Sequence, residues 1–316
     1  IATVSVPANL LIEPLICFWG LPCGFLALPF IFIYPTAADF LFQAGAIGIK
    51  LAVKIATLLA TAEFSTVWLP NTSPVFIFVY YVSLFMILFS RITPLKITSG
   101  ICLCIAVFSL IFSTVTSPVL PRSNSRVTFI DIGQGSSSLI EFRQGATFLI
   151  DGGAMNAPGF NSGERIIAPF LWHRGIGRLD DIVLTHADSD HYNGLEILLR
   201  RFHPKRLWLP PTGSDSDAYL SMLNTARHLG ISIRYPENES IIPDQFSRIR
   251  IIDVNKATGE RTSIAAGHAK NDNGLMVKID LEGTFFLFPG DISAKKEKAL
   301  VESGIELTAD VLLSPH

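Results

Sequence analysis

The sequence predicts an α/β domain, with helices covering the outer faces of packed sheets, preceded by an α-helical transmembrane region. Three observations predict it. Of the 316 residues, 49% are hydrophobic and only 16% charged, against roughly 25% charged in an ordinary soluble protein, and the apolar excess is confined to the first third. After about residue 126 the pattern changes to short apolar runs separated by Gly turns. In that second part strands open and close the order of elements, with helices between them, which suits helices laid over sheets.

The first 115 residues form the membrane region. Residues 9–35 ("NLLIEPLICFWGLPCGFLALPFIFIYP"), 74–90 and 97–115 each approach the roughly 20 apolar residues that cross a bilayer. The stretch 39–60 carries Lys50 and Lys54 four residues apart, hence on one helix face, which suits a helix lying along the interface. A signal peptide would account for a single early apolar run. Several such runs, with no basic start and no cleavage site, favour a membrane domain. The chain starts abruptly at Ile1 and stops at His316, and reads as a fragment of something longer at both ends. The loop "RITPLK" carries Arg91 and Lys96, and basic short loops face the cytoplasm. If both flanking segments span, everything after about residue 115 lies outside the cytoplasm.

Residues 116–125, rich in Pro, Ser and basic residues and without periodicity, read as a linker. The domain over 126–316 then opens with three strands, "RVTFIDI", "SSLIEFR" and "ATFLIDGG". Ser162 and Glu164 start a helix along "SGERIIAPFLWHRG". Next come a buried strand "DDIVLT", a helix over 192–201, a strand "RLWLP", a helix over 216–229 and a strand "RIRIIDV". "GLMVKIDLEGTFFLFPGD" reads as two strands joined at Glu282-Gly283, then a helix over 293–303 and a last strand "ADVLLS".

All four cysteines, Cys17, Cys23, Cys102 and Cys104, fall in the apolar segments. The second part therefore holds neither a disulfide framework nor a thiolate zinc site. A formal net charge of −2 argues against a broad basic surface, although "LLRRFHPKR" (198–206) survives as a local basic patch.

Chemistry gathers in "THADSDHYNG", residues 185–194, where two histidines and two aspartates come after an apolar strand. Helix capping by Ser189 or Asp190 explains one of them. It leaves His186, Asp188 and His191 idle, and that density favours metal binding. Four strands end in such residues: "FLID" at Asp151, "IVLTHADSDH" at His191, "FLFPGD" at Asp291 and "LLSPH" at His316. Asp before Gly-Gly is by itself an ordinary turn signal. Four such endings together suit convergence on one site.

"VTFIDIGQGSSSLIEF", "GATFLIDGG", "THADSDH", "NDNGLMVKI", "FPGD" and "LLSPH", in this order over 126–316, resemble the metallo-β-lactamase superfamily. More closely they resemble the hydrolase domain of ComEC-type competence membrane proteins. The preceding "IATVSVPANLLIEPL" resembles the end of that family's transmembrane region. The resemblance implies an αββα sandwich holding two divalent ions, Zn²⁺ or Mn²⁺. His186, Asp188, Asp190, His191, Asp291 and His316 would be the ligands. Asp188 replaces the usual second His, Asp291 resembles the bridging aspartate, and Asp151 the buried carboxylate that orients the site. Asp151, Asp190 and Asp291 form the expected catalytic set. The third-motif histidine has no clean counterpart, leaving His268, Asn271 or Asn273 in its place, and Ser136 stands where the family has Asp.

Two ions lower the pKa of a water to about 7 and neutralise charge developing on phosphoryl oxygens, which suits phosphodiester hydrolysis. A carboxylate in place of a histidine shifts preference from Zn²⁺ towards Mn²⁺. The resemblance implies a nuclease acting on the non-imported DNA strand, in the bacterial inner membrane beside other DNA-uptake proteins, with the hydrolase domain extracytoplasmic. Arg200, Arg201, Lys205 and Arg206 are the expected DNA contacts through phosphate. Two alternatives stay open: a non-catalytic module that binds or gates DNA, and another hydrolase of the superfamily, such as a phosphorylcholine esterase or lactonase.

Overall fold

A computed structural model of the chain describes residues 4–62, 65, 74–116, 123–154, 160–236, 239–259 and 271–314. The chain divides into two compact units, Ile1–Leu69 and Pro70–His316. Of the expected linker, 117–122 lies outside the described residues, as do His268 and His316.

The first unit is helical: α1 (Ser5–Glu13), a π-helical stretch (Pro14–Gly20), α2 (Leu21–Ala27), α3 (Phe30–Ile33) and α4 (Pro35–Ala60). The run Ser5–Ala27 and α4 are each long and apolar enough to cross a bilayer. The stretch expected to lie along the interface is thus part of a helix that passes the length and hydropathy test for a span. Small residues let the helices approach closely. A Cβ on Gly45 would stand 3.1 Å from the Gly20 carbonyl, and one on Gly48 3.1 Å from Leu15 O and from the Trp19 ring.

In the second unit α5 (Pro74–Phe89) and α6 (Thr93–Thr116) pack on each other. Beyond them the chain forms two sheets. One has the order β1-β2-β3-β4-β5-β6, from β1 (Arg126–Phe129), β2 (Gly135–Glu141), β3 (Thr147–Ala154), β4 (Asp181–Val183), β5 (Arg206–Trp208) and β6 (Ser232–Arg234). Strands β1 to β3 pair antiparallel and β3 to β6 parallel. The other sheet has the order β11-β10-β9-β8-β7, from β7 (Glu239–Asp244), β8 (Ser247–Asp253), β9 (Leu275–Leu281), β10 (Thr284–Phe288) and β11 (Val311–Leu312). Its pairs are antiparallel except β10 with β11.

Alternation along the strands builds three apolar layers. Ile140, Phe148, Ile150, Val183 and Trp208 of the first sheet meet Ile249, Ile251, Val277 and Ile279 of the second. Leu139, Leu149, Ile182 and Leu207, one residue out of phase, pack under α7 (Ala168–His173), α9 (Leu195–Phe202) and α10 (Asp217–His228). On the far side Ile252, Met276 and Leu287 pack under α11 (Val254–Thr258) and α12 (Ala294–Glu302). Strands covered on both faces need apolar residues at every position, which is why β3 and β4 read as continuous runs. The result is the expected αββα sandwich. Strands β6 and β7 and helix α11 escaped the sequence reading, being short or polar.

Candidate metal centre

The parallel strands β3 and β4 run side by side, so Asp151 and the residues after Val183 emerge at one edge. Strand β10 of the other sheet ends nearby, and Pro289-Gly290 carries the chain to Asp291. A cavity of about 170 Å³ opens there, lined among others by Ser136, Thr185, Asp190, His191, Asp291 and Ser314.

Helix capping does not explain the aspartates. The short helix α8 (Ser189–Tyr192) has Asp188, not Ser189 or Asp190, in the N-cap position, with no side-chain cap hydrogen bond. Ser162, expected to cap the helix after it, instead donates to the Gly152 carbonyl at 3.1 Å. Gly153 is required beside this turn, since a Cβ there would lie 2.6 Å from the His191 backbone.

Asp151 is 1% exposed and sits in a left-handed backbone conformation, φ 56°, unusual for a residue with a side chain. Its Oδ1 accepts from the Thr185 amide at 2.8 Å, and its Oδ2 accepts from the Thr185 hydroxyl at 2.8 Å. The same Oδ2 lies 2.9 Å from His191 Nδ1. The Thr185 hydroxyl also stands 3.1 Å from His186 Nδ1. Both imidazoles are therefore held by Nδ1 with Nε2 turned outward, the arrangement typical of metal-ligating histidines. Their ring centroids are 3.9 Å apart. Thr185 was missed from the sequence, although it is the residue at which the strand hands over to the motif.

Asp291 Oδ2 lies 3.4 Å from His191 Nε2 and 3.9 Å from His186 Nε2. Asp188 Oδ2 is 3.9 Å from His186 Nε2. Ligand atoms of His186, Asp190 and His191 all lie within 4.8 Å of one another. For an ion bonded to N or O at about 2.1 Å, tetrahedral ligands stand about 3.4 Å apart. The donor set and its spacing fit a divalent metal. Of the six expected ligands, five are brought together, and the sixth, His316, comes two residues after Ser314 of the cavity wall.

The charges point the same way. Burial, then the neighbouring His191, pushes His186 below 6.5, towards the neutral form that ligates. Burial also pulls His191 down, but the charge and hydrogen bond of Asp151, with Asp291 beyond, outweigh it and raise this histidine to about 10. Two carboxylates thus enclose His191 in surroundings that favour a cation.

Among the third-motif candidates, Asn273 is 2% exposed and its Oδ1 accepts from Asn255 Nδ2. Asn271 is half-buried at the start of the same 3₁₀ turn.

The four expected DNA contacts each pair with a carboxylate. Arg206 pairs with Asp181 at 2.6 and 2.8 Å, Lys205 with Asp180 at 2.7 Å, Arg201 with Glu164 and Arg200 with Glu196, both at 2.8 Å. Lys205 and Arg206 stand where β5 begins, level with Asp181 at the start of β4. The motif leaves the other end of β4, so these two cations and the cavity are at opposite ends of the parallel strands.

The chain belongs to the metallo-beta-lactamase superfamily, whose family model matches residues 130–315. A second family model, described as Competence protein, matches residues 1–94. Over 99% of its length the chain is 26% identical to ComE operon protein 3 of Bacillus subtilis (strain 168), covering 40% of that protein. It is 28% identical over 43% of its length to Recombination protein 2 of Haemophilus influenzae, covering 16% of that relative. The chain thus spans less than half the length of the curated relatives it matches. Among solved structures, it is similar to an archaeal metallo-beta-lactamase superfamily protein from Sulfolobus tokodaii, at 20% identity and a TM-score of 0.39 over 59% of this chain and 77% of that one. Along one chain, a segment similar to competence proteins thus precedes a metallo-beta-lactamase domain.

Proposed function

We propose that the second unit is a metal-dependent phosphodiester hydrolase, a nuclease acting on the DNA strand that is not imported, within a DNA-uptake protein of the bacterial inner membrane. The observation that carries this is the meeting of His186 Nε2, His191 Nε2 and Asp291 Oδ2, with separations of 3.4 and 3.9 Å between the carboxylate and the two nitrogens. His186, Asp188, Asp190, His191, Asp291 and His316 would hold two divalent ions, zinc or manganese. Bound there, the ions would supply Lewis acidity and a water acidic enough to attack at neutral pH. Asp151 fixes the rings of His191 and, through Thr185, His186. Asp291 places its charge between the two imidazoles, where it orders the site and balances the cations. The cavity, lined by Ser136 and Ser314 together with Asp190, His191 and Asp291, would receive the phosphodiester.

The relatives support the DNA and uptake parts of this reading through their names alone: a protein of the ComE operon and a recombination protein. We place the linker in 116–125, the apolar helices before it in the membrane, and the hydrolase domain outside the cytoplasm. A reporter fused after Ser123 should behave as extracytoplasmic, and cytoplasmic activity would reverse this topology. The enzyme reading is tested on a chain extended beyond His316, by cleavage rate and filter-binding affinity at fixed salt. Asp291→Asn should lower cleavage about 10²–10³-fold, the usual cost of losing a preorganised charged group, and leave DNA affinity unchanged. A wild type that binds DNA but never cuts it with Mn²⁺, Zn²⁺ or Mg²⁺ would replace the enzyme by a gating module.

A further inference from the structure

Lys296 is a buried lysine that the proposed hydrolysis does not use. It lies in the first turn of α12, is 4% exposed, and its Nζ donates to Asn255 Oδ1 at 2.6 Å. Asn255, 2% exposed, passes the bond on: its Nδ2 donates to Asn273 Oδ1. The polarity of this chain is fixed by its first member. A lysine only donates, so the amide oxygen of Asn255 must face it, the Asn255 NH₂ must face Asn273, and Asn273 must answer with its oxygen. Neither amide can flip without leaving a buried donor facing a donor.

What this network grips is the turn Asn271–Asn273 and the residue after it, and that turn touches the metal centre on two sides. On one side Leu275 N donates to the Thr185 carbonyl at 2.7 Å. A Cβ on Gly274 would stand 2.8 Å from that carbonyl and 3.4 Å from His186 Cβ, so the turn is pressed against the backbone that carries His186. On the other side Asp272 accepts from the Ser293 amide at 2.8 Å and from its hydroxyl at 2.9 Å. Ser293 is two residues after Asp291 and caps α12, the helix that carries Lys296. One rigid turn therefore sets both the histidine of one sheet and the aspartate of the other.

We infer that Lys296 is a positioning residue, acting through Asn255 and Asn273. The Asn273 oxygen accepts within this strut, and through it Asn273 buttresses the site. The inference rests on the metal-binding reading of the site. Outer partners of ligating residues cost 10–100-fold in metal affinity when lost, and that is the effect expected here.

The test uses the full chain in detergent, stripped with a chelator, with Co²⁺ alone as the probe. Two variants break the strut at different points. Lys296→Met removes the donor while keeping an unbranched apolar chain. Asn255→Asp keeps an acceptor for Lys296, and so a buried pair that supports folding, but loses the NH₂ that reaches Asn273. Both should bind Co²⁺ at least tenfold more weakly and with shifted visible absorption bands, which a merely destabilised but correctly built site would not show. In the metal-free chain the Leu275 amide should exchange faster in both variants, while Leu139 and Leu149 of the first sheet stay protected. Wild-type Co²⁺ uptake with both variants unaltered in affinity and spectrum overturns this inference alone. A wild type that takes up no Co²⁺ overturns the metal reading and the inference together.

Discussion

Asp151→Asn removes one charge and almost no volume, so its effect falls on the hydrogen bonds around the carboxylate. That carboxylate accepts three, from Thr185 N, Thr185 Oγ1 and His191 Nδ1. With the asparagine oxygen kept on the Thr185 amide, its NH₂ faces the Thr185 hydroxyl and His191 Nδ1. The hydroxyl can rotate to accept. The imidazole answers only by giving up its Nδ1 proton and carrying it on Nε2, which faces Asp291 at 3.4 Å. A metal at Nε2 takes the place of the proton there; in the wild type this leaves Nδ1–H donating to the Asp151 carboxylate, whereas in the variant it leaves Nδ1–H facing the asparagine NH₂, donor against donor. Loss of such an outer partner costs 10–100-fold in affinity, about 1.4–2.7 kcal/mol at 1.4 kcal/mol per tenfold. Chelator competition with Zn²⁺ on the full chain measures the affinity, and ¹⁵N-histidine spectra of the metal-free variant report the tautomer. Zn²⁺ affinity within twofold of wild type, or His191 still protonated at Nδ1, would refute the reasoning.

Two further outcomes are expected. In the metal-free chain His191 is raised from 6.5 to about 10, so its contribution to stability is complete below pH 6.5 and is lost as pH rises towards 10. His186 is lowered, so it costs stability only below pH 6.5. Melting of the chelated chain should therefore fall steadily from pH 6.5 to about pH 9.5, with a shallower slope in Asp151→Asn; equal slopes would remove Asp151 as the cause. Arg206→Met strips the buried Asp181 of its bidentate partner and leaves it the Trp208 indole at 2.8 Å. It should cost about 3 kcal/mol, the low end for breaking a buried pair with one half-exposed member. DNA affinity and its salt slope should be unchanged, and a lower slope with the fold intact would restore Arg206 as a phosphate contact.

The layers and the candidate ligands were legible in the order of residues. Continuous apolar runs in β3 and β4 mark strands covered on both faces. Glu282-Gly283 marks the turn between β9 and β10, and Glu282 takes the left-handed φ of 54° found there. His186, Asp188, His191 and Asp291 could be named because each lies just past a strand, and strand ends at one edge of a sandwich converge. Which atoms face one another could be read only from the folded chain. It showed Asp151 holding Thr185 and His191, because those contacts span 34 and 40 residues and arise from β3 lying beside β4. It also showed Arg200, Arg201, Lys205 and Arg206 matched to carboxylates. The partner of Arg201 is 37 positions away in sequence, reached where α9 packs on the helical stretch Gly163–Ile167, and that of Arg206 is 25 away, brought level by the pairing of β4 with β5. A basic run reads as an open patch because sequence lists charges without their partners, and whether a cation is free or neutralised is settled by distance in space.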